Sequence, residues 1–158
     1  MKKTNKLKIL IIGASGFIGE NLYKFLKNKK FDVIGTYFNN KKKNLIKFDL
    51  EKDNISKIRG INYFSHIIIS SGANKKLDDV EKNWRYEKKI NYKNLKKVIN
   101  MFSKKNKKII YLSSDAVFDG IKGDYRETSK TNPVNKYGFH KKLMENYIKN
   151  KSRNFLII

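Results

Sequence analysis

The sequence predicts an α/β fold in which a six-stranded, doubly wound parallel sheet carries helices on both faces. Three observations support this prediction. The apolar run Ile9–Ile12 leads into a glycine-rich turn, Gly13-Ala14-Ser15-Gly16-Phe17-Ile18-Gly19, and an apolar stripe at helical spacing follows. Short apolar runs then alternate with longer amphipathic segments. At 158 residues the chain is one domain, residues 1–158, with a core of ordinary size.

The individual elements follow from short apolar runs and their flanking residues. We expect strands at residues 9–12, 31–36, 45–48, 66–69, 108–112 and 154–158, and a helix after the glycine turn. One long amphipathic helix is predicted from Asp78 to Phe102, with Trp84 among its core contacts, and another helix at about 135–150. No segment reaches the ~20 apolar residues of a membrane-spanning helix.

The composition indicates a soluble, cytoplasmic protein without a metal site. There is no cysteine, and His66 and His140 lie far apart, His140 being placed on the outer face of its helix. The net charge of +23 is spread along the chain in a way typical of AT-rich coding sequences. We therefore expect no specific nucleic-acid partner, only weak affinity for polyanions at low salt.

The carboxyl ends of the predicted strands carry glycines and small polar residues. Ligands bind at this edge of a doubly wound sheet, beside the first strand. The glycine turn brings free N–H groups at a helix start towards a pyrophosphate. The residues that would meet a dinucleotide here are Gly13, Ser15, Gly16, Phe17, Ile18, Gly19, Thr36, Ser70, Ser71, Gly72 and Ala73.

The end of the second strand favours NADP over NAD, although NAD is not excluded. NAD-binding versions of this unit place an acidic residue here to bind the ribose 2′-hydroxyl. In this chain the strand runs through Thr36 and Tyr37 into Lys41–Lys43, with no acid. A cationic, hydroxyl-rich pocket suits a 2′-phosphate; the alternative is that the lysines only cover a solvated loop.

Tyr137 and Lys141 form the second notable pattern. Four residues apart on a helix, they share a face, and an ammonium beside a phenol is expected to lower the pKa of that phenol. Such a tyrosine can exchange a proton with a substrate oxygen. Ser114, which follows the fifth strand, supplies a second hydroxyl.

These motifs together resemble the extended short-chain dehydrogenase/reductase family. Within it, the segment Ser113–Gly120, then Tyr125-Arg126-Glu127 and Pro133–Gly138, resembles the dTDP-4-dehydrorhamnose reductase branch. The resemblance implies a Rossmann-like fold and catalysis by Ser114, Tyr137 and Lys141. It also implies that Asp49 and Leu50 contact the adenine of the cofactor and that Ala73 contacts the cofactor as well. For Asn91 it implies a structural or water-relay role.

The implied reaction is hydride transfer from a nicotinamide to the carbonyl of a nucleotide sugar, with Tyr137 as proton donor. Members of the family continue past the sixth strand into a substrate-binding lobe, which this sequence lacks; a homo-oligomer is compatible with the pattern. Two other functions stay open: a nucleotide-sugar epimerase or dehydratase, and a non-catalytic module that binds a dinucleotide or a polyanion.

Overall fold

The fold is built on one six-stranded sheet, seen in a computed structural model that describes residues 7–72 and 77–158, with the backbone alone at 77–79 and 90–91. All strand pairings are parallel, and the spatial order is β3-β2-β1-β4-β5-β6. This confirms the predicted doubly wound α/β architecture. The strands are β1 (Lys8–Ile12), β2 (Asp32–Tyr37), β3 (Leu45–Lys47), β4 (His66–Ile69), β5 (Lys108–Tyr111) and β6 (Phe155–Ile157).

The strand order places a switch point at β1. The chain runs from β1 towards one edge through β2 and β3, then returns to the other side of β1 for β4, β5 and β6. Crossovers of the same hand then lie on opposite faces of the sheet in the two halves. The strand ends beside β1 are left uncovered, and this is where a crevice forms.

Five α-helices surround the sheet in the described part of the chain. They are α1 (Phe17–Asn28), α2 (Leu77–Lys82), α3 (Trp84–Lys88), α4 (Leu95–Lys104) and α5 (Lys136–Lys151). Single 3₁₀ turns occur at Ile55–Lys57, Ile61–Tyr63 and Asp115–Val117. None of the helices in the described ranges is long and apolar enough to cross a membrane.

The prediction of one long helix from Asp78 to Phe102 is wrong. Asn83 interrupts it with a backbone at φ −110°, ψ 27°, and a π-helical segment, Lys89–Asn94, joins α3 to α4. Asparagine competes with the helical backbone for hydrogen bonds, which favours a break at such a residue. Trp84 is only partly buried beside the ammonium groups of Lys88 and Lys136, so it is not a core residue.

The core lies mainly on the face of the sheet that α4 and α5 cover. Leu10, Ile67 and Ile109 from the strands are fully buried there against Ile99 and Ile148 from the helices. Their free-energy contribution is about 1.5–3 kcal/mol for each fully buried large apolar side chain. This packing fixes α5 against β5 and thereby sets the position of everything that α5 carries.

The opposite face is covered only in part. Helix α1 packs on β1 and β2 through Leu22 and Leu26, while β5 and β6 leave an open apolar groove of about 730 Å³ beside it. Phe17, Ile18 and Phe25 of α1 turn towards this groove and are mostly exposed, Phe17 by 87%. The predicted apolar stripe of α1 therefore divides between core and groove.

Gly138, in the first turn of α5, packs directly on the 3₁₀ turn that follows β5. A Cβ at this position would lie 1.9 Å from the carbonyl oxygen of Ala116, a backbone atom that cannot move aside cheaply. We expect Gly138→Ala to lower the free energy of unfolding by about 1–3 kcal/mol or more, as measured by urea denaturation. Gly72→Ala is the matched control, since a Cβ there meets nothing within 4 Å. Equal stability of the two variants would contradict this packing.

Candidate dinucleotide site and hydroxyl–ammonium cluster

The glycine turn is held by its contacts with the two neighbouring strands. Gly13 has a φ of +88°, and its N–H donates to the Thr36 hydroxyl at 3.2 Å. A Cβ on Gly13 would lie 2.7 Å from the Ser71 nitrogen, and one on Gly19 would lie 2.2 Å from the Gly13 carbonyl oxygen. Only glycine fits either position, so the turn can press closely against β4 and the start of α1.

Ser70 completes the junction from the other side. Its hydroxyl donates to the carbonyl oxygens of Ile12 at 3.0 Å and Gly13 at 3.3 Å. The ends of β2, β1 and β4 are therefore tied together by side-chain hydroxyls. The Thr36 hydroxyl accepts the Gly13 N–H inside this junction, so Thr36 shapes the crevice that it lines, and its contact with a ligand stays a prediction.

A cavity of about 470 Å³ opens over this junction at the carboxyl ends of β1, β2 and β4. Most of the residues that the sequence assigned to the cofactor meet here. Phe17, Ile18 and Gly19 do not line it: the first two side chains face the apolar groove, and Gly19 serves packing. The lining residues are Ile12, Gly13, Ser15, Gly16, Thr36, Tyr37, Phe38, Asn39, Asn40, Phe48, Asp49, Leu50, Ser70, Ser71, Gly72, Tyr86 and Glu87.

The amino end of α1 opens towards the cavity with its backbone N–H groups unused by side chains. Gly16 is the N-cap residue and supplies no capping side chain. Glu20, the acid of the first turn, pairs with Lys24 at 2.8 Å and with Lys42 at 3.1 Å, and both ammonium groups lower its pKa. The helix end thus keeps the positive potential that suits a phosphate anion.

The predicted cationic pocket at Lys41–Lys43 is not present in that form. Lys42 is engaged with Glu20, and none of the three lysines lines the cavity. The wall beyond β2 is formed instead by Tyr37, Phe38, Asn39 and Asn40, and the Asn40 amide is anchored on the Ser15 carbonyl oxygen at 3.2 Å.

Asp49 and Leu50 line the far end of the cavity, where the resemblance places the adenine. The Asp49 carboxylate accepts a hydrogen bond from the Glu51 N–H at 2.8 Å, which fixes the turn after β3. Ala73 lies outside the described residues, as does the side chain of Asn91.

A second cluster forms between the end of β5 and the first turns of α5. The Ser114 hydroxyl donates to the Asp115 carboxylate at 3.0 Å and accepts from the Ala116 N–H at 3.2 Å, and it lies close enough to the Tyr137 phenol to influence the pKa of that phenol. Helix α5 is set in place by the Asn135 side chain, which accepts from the Gly138 N–H at 2.7 Å. Ser114 and Tyr137 therefore lie side by side, and the catalytic role that the resemblance implies for them stays a prediction.

Lys141 is the third member of this cluster and is almost fully buried. Its ammonium donates to the Leu112 carbonyl oxygen at 2.7 Å and lies 5.6 Å from the centre of the Tyr137 ring. Burial lowers the pKa of Lys141 to about 8, and the nearby Glu145 carboxylate opposes that shift.

The expected lowering of the Tyr137 pKa is wrong. Burial of the half-exposed phenol raises its pKa, the nearby Ser114 hydroxyl acts in the other direction, and the Asp115 charge adds to the rise. Desolvation penalises phenolate more strongly here than its neighbours stabilise it. Tyr137 is therefore a protonated phenol at neutral pH, suited to donating a proton.

The folded chain adds two buried acids to the sequence analysis and corrects the position of His140. Glu87, 4% exposed, lines the cavity, although sequence reasoning did not single it out. Glu145 is also buried, four residues after Lys141, a spacing that could have revealed it. His140 was expected on an outer helix face and is instead 3% exposed, with a pKa lowered by burial. No group of three or more histidines and acids among the described side chains could hold a metal ion.

A comparison with known protein families decides the classification. The family model described as "RmlD substrate binding domain" matches residues 7–158. The chain belongs to this family. The match confirms the resemblance to the dTDP-4-dehydrorhamnose reductase branch and to its epimerase relatives.

Individual proteins of known identity are similar to the chain in structure or in sequence. A hypothetical dTDP-4-dehydrorhamnose reductase from Sulfolobus tokodaii superimposes with a TM-score of 0.82 at 28% identity, over 96% of this chain and 54% of its own. Methionine adenosyltransferase 2 subunit beta of Danio rerio is 29% identical over 83% of this chain and 40% of its own length. ADP-L-glycero-D-manno-heptose-6-epimerase of Brachyspira hyodysenteriae is 31% identical over 89% and 48%. The chain thus spans about half the length of the relatives that it matches.

The Thr36 hydroxyl offers a direct test of the strand junction. Thr36→Val keeps the shape but leaves the Gly13 N–H without its acceptor, so we expect a loss of about 1–3 kcal/mol in the free energy of unfolding. Thr36→Ser retains the hydroxyl, so its loss of unfolding free energy should be less than half of the loss in Thr36→Val. Chemical denaturation of both variants measures this. Identical stabilities would show that the hydrogen bond does not hold the turn.

Proposed function

We propose that the chain is the dinucleotide-binding half of a sugar-nucleotide reductase, which uses NADP in preference to NAD because no acid at the end of β2 is present to bind a ribose 2′-hydroxyl. The observation that carries this is the coexistence of a cavity over the Gly13 turn with the Ser114–Tyr137–Lys141 cluster at the same edge of the sheet. Folding requires neither the hydroxyl pair nor a buried ammonium, so their joint presence favours chemistry over a purely structural role.

The residues present fit a dinucleotide. The N–H groups at the start of α1, with Ser15 and Gly16, would hold the pyrophosphate; Asp49 and Leu50 would border the adenine. Lys141 would hold the ribose next to the nicotinamide. When bound, the nicotinamide supplies the hydride.

Tyr137 would donate the proton that the reduced carbonyl oxygen needs. Its raised pKa keeps the phenol protonated, and the neighbouring Ser114 hydroxyl would orient the carbonyl. The neighbouring Lys141 ammonium would stabilise the phenolate that remains after the proton has left. General acid catalysis of this kind contributes about 10²–10⁴-fold in rate.

Two observations favour other candidates. The 31% identity to a heptose epimerase favours an epimerase or dehydratase that acts on a nucleotide sugar, because the same three side chains can serve those reactions. The 29% identity to methionine adenosyltransferase 2 subunit beta, a protein named as a subunit and not as a reductase or epimerase, favours the second alternative, a non-catalytic dinucleotide-binding subunit. A nucleotide sugar is the partner for the enzyme functions, and no other partner is proposed.

Tyr137→Phe separates catalysis from binding. We expect NADPH affinity within about threefold of the unaltered chain, because the phenol oxygen is not part of the cavity lining, and at least 100-fold loss of NADPH-dependent reduction of a dTDP-4-keto sugar. Fluorescence titration and absorbance at the NADPH band measure the two quantities. Unchanged turnover would exclude Tyr137 as the acid. If the unaltered chain binds NADPH but shows no turnover, the non-catalytic dinucleotide-binding subunit is supported. If the chain does not bind NADPH below millimolar concentration, all of these functions are rejected.

Tyr37→Asp tests the cofactor preference. A carboxylate at the end of β2 would repel a 2′-phosphate and accept a hydrogen bond from a 2′-hydroxyl. We therefore expect the ratio of NADPH to NADH affinity to fall by about tenfold or more, whereas the uncharged Tyr37→Asn leaves it within about threefold. Parallel titrations with both cofactors measure the ratio. An equal fall in the two variants would show that charge at this position does not select the cofactor.

A further inference from the structure

Three side chains of α5 form one inward-facing row. Tyr137, Lys141 and Glu145 occupy successive turns at a spacing of four residues, so they share a face. Lys141 is 8% exposed and Glu145 is 6% exposed. Burying a carboxylate is costly unless it is hydrogen-bonded and paired with a cation, so a buried glutamate at this place requires a reason.

The Glu145 carboxylate bridges α5 to the end of β5. One oxygen accepts a hydrogen bond from the Ser113 hydroxyl at 2.5 Å, and Ser113 is the residue immediately before Ser114. The other oxygen lies 3.6 Å from the ammonium of Lys149, which is half exposed and therefore contributes little. The Ser113 contact ties the helix to the strand end, one residue from the hydroxyl that meets Tyr137.

The Glu145 carboxylate is also the negative charge that opposes the lowering of the Lys141 pKa. The described groups that face this ammonium are the rings of Tyr111 from β5 and Tyr137 from α5, the Leu112 carbonyl oxygen, and Glu145. Both phenols have raised pKa values and are uncharged at neutral pH, which leaves Glu145 to balance the buried cation.

We propose that Glu145 is a positioning residue for this site: its carboxylate joins the end of β5 to α5 and keeps Lys141 charged beside Tyr137. The catalytic meaning of this role rests on the proposed function. The charge balance itself does not, because it concerns only side chains of this chain.

The test follows the titration of Lys141 directly. In protein labelled with ¹³C-lysine, the Cε signal of Lys141, assigned by its loss in Lys141→Arg, should titrate with a midpoint near 8. Glu145→Gln keeps the shape and the acceptor for Ser113 but removes the charge, so we expect its midpoint to fall by about one pH unit. Asp32→Asn, the same acid-to-amide change at an exposed pair with Lys8 on the amino side of the sheet, should leave the midpoint unchanged.

Glu145→Asp distinguishes charge from packing. It retains the carboxylate and should return more than half of the shift seen in Glu145→Gln. An unchanged midpoint in Glu145→Gln, or equal shifts in the Gln and Asp variants, would overturn the inference. NADPH titration of the same samples separates the two proposals: the predicted shift in a chain that does not bind NADPH would reject the proposed function and retain the role of Glu145.

Discussion

The hydrogen bond from the Gly13 N–H to the Thr36 hydroxyl joins two strand ends at the point on which the crevice depends. The Ser70 hydroxyl donates to the carbonyl oxygens of Ile12 and Gly13. These contacts together hold the carboxyl ends of β1, β2 and β4 side by side. The glycine turn can then lie flat between them, because neither Gly13 nor Gly19 has a side chain to hold the neighbours apart. An open helix end and a cavity above it are consequences of that arrangement.

The second half of the site depends on buried polar groups. Lys141 is held between a carbonyl oxygen and two aromatic rings, and its cost in desolvation appears as a pKa lowered to about 8. Such a charge is tolerated only where the surrounding side chains are fixed. The packing of α5 on β5 through fully buried apolar residues supplies this rigidity, so a loss of core packing would also disturb the hydroxyl–ammonium cluster.

Local patterns were enough to predict the strands, the glycine turn, and the pairing of Ser114 with Tyr137 and Lys141. Each of these is encoded within a few residues, by an apolar run, a glycine spacing or a helical repeat. Contacts between distant segments were not accessible in this way. Lys42 pairs with Glu20 across a loop, Glu87 and Glu145 are buried by packing, and the pKa of Tyr137 follows desolvation rather than its sequence neighbour. The break at Asn83 likewise overrides a continuous amphipathic pattern.

A crystal structure of the chain with NADP⁺ would show whether one dinucleotide joins the Gly13 turn to Tyr137. We expect the pyrophosphate against the backbone N–H groups of Ser15 and Gly16, with the nicotinamide end directed from the Gly13 turn towards Tyr137 and Lys141. A dinucleotide bound elsewhere, or bound in the cavity with its nicotinamide away from Tyr137, would exclude this arrangement.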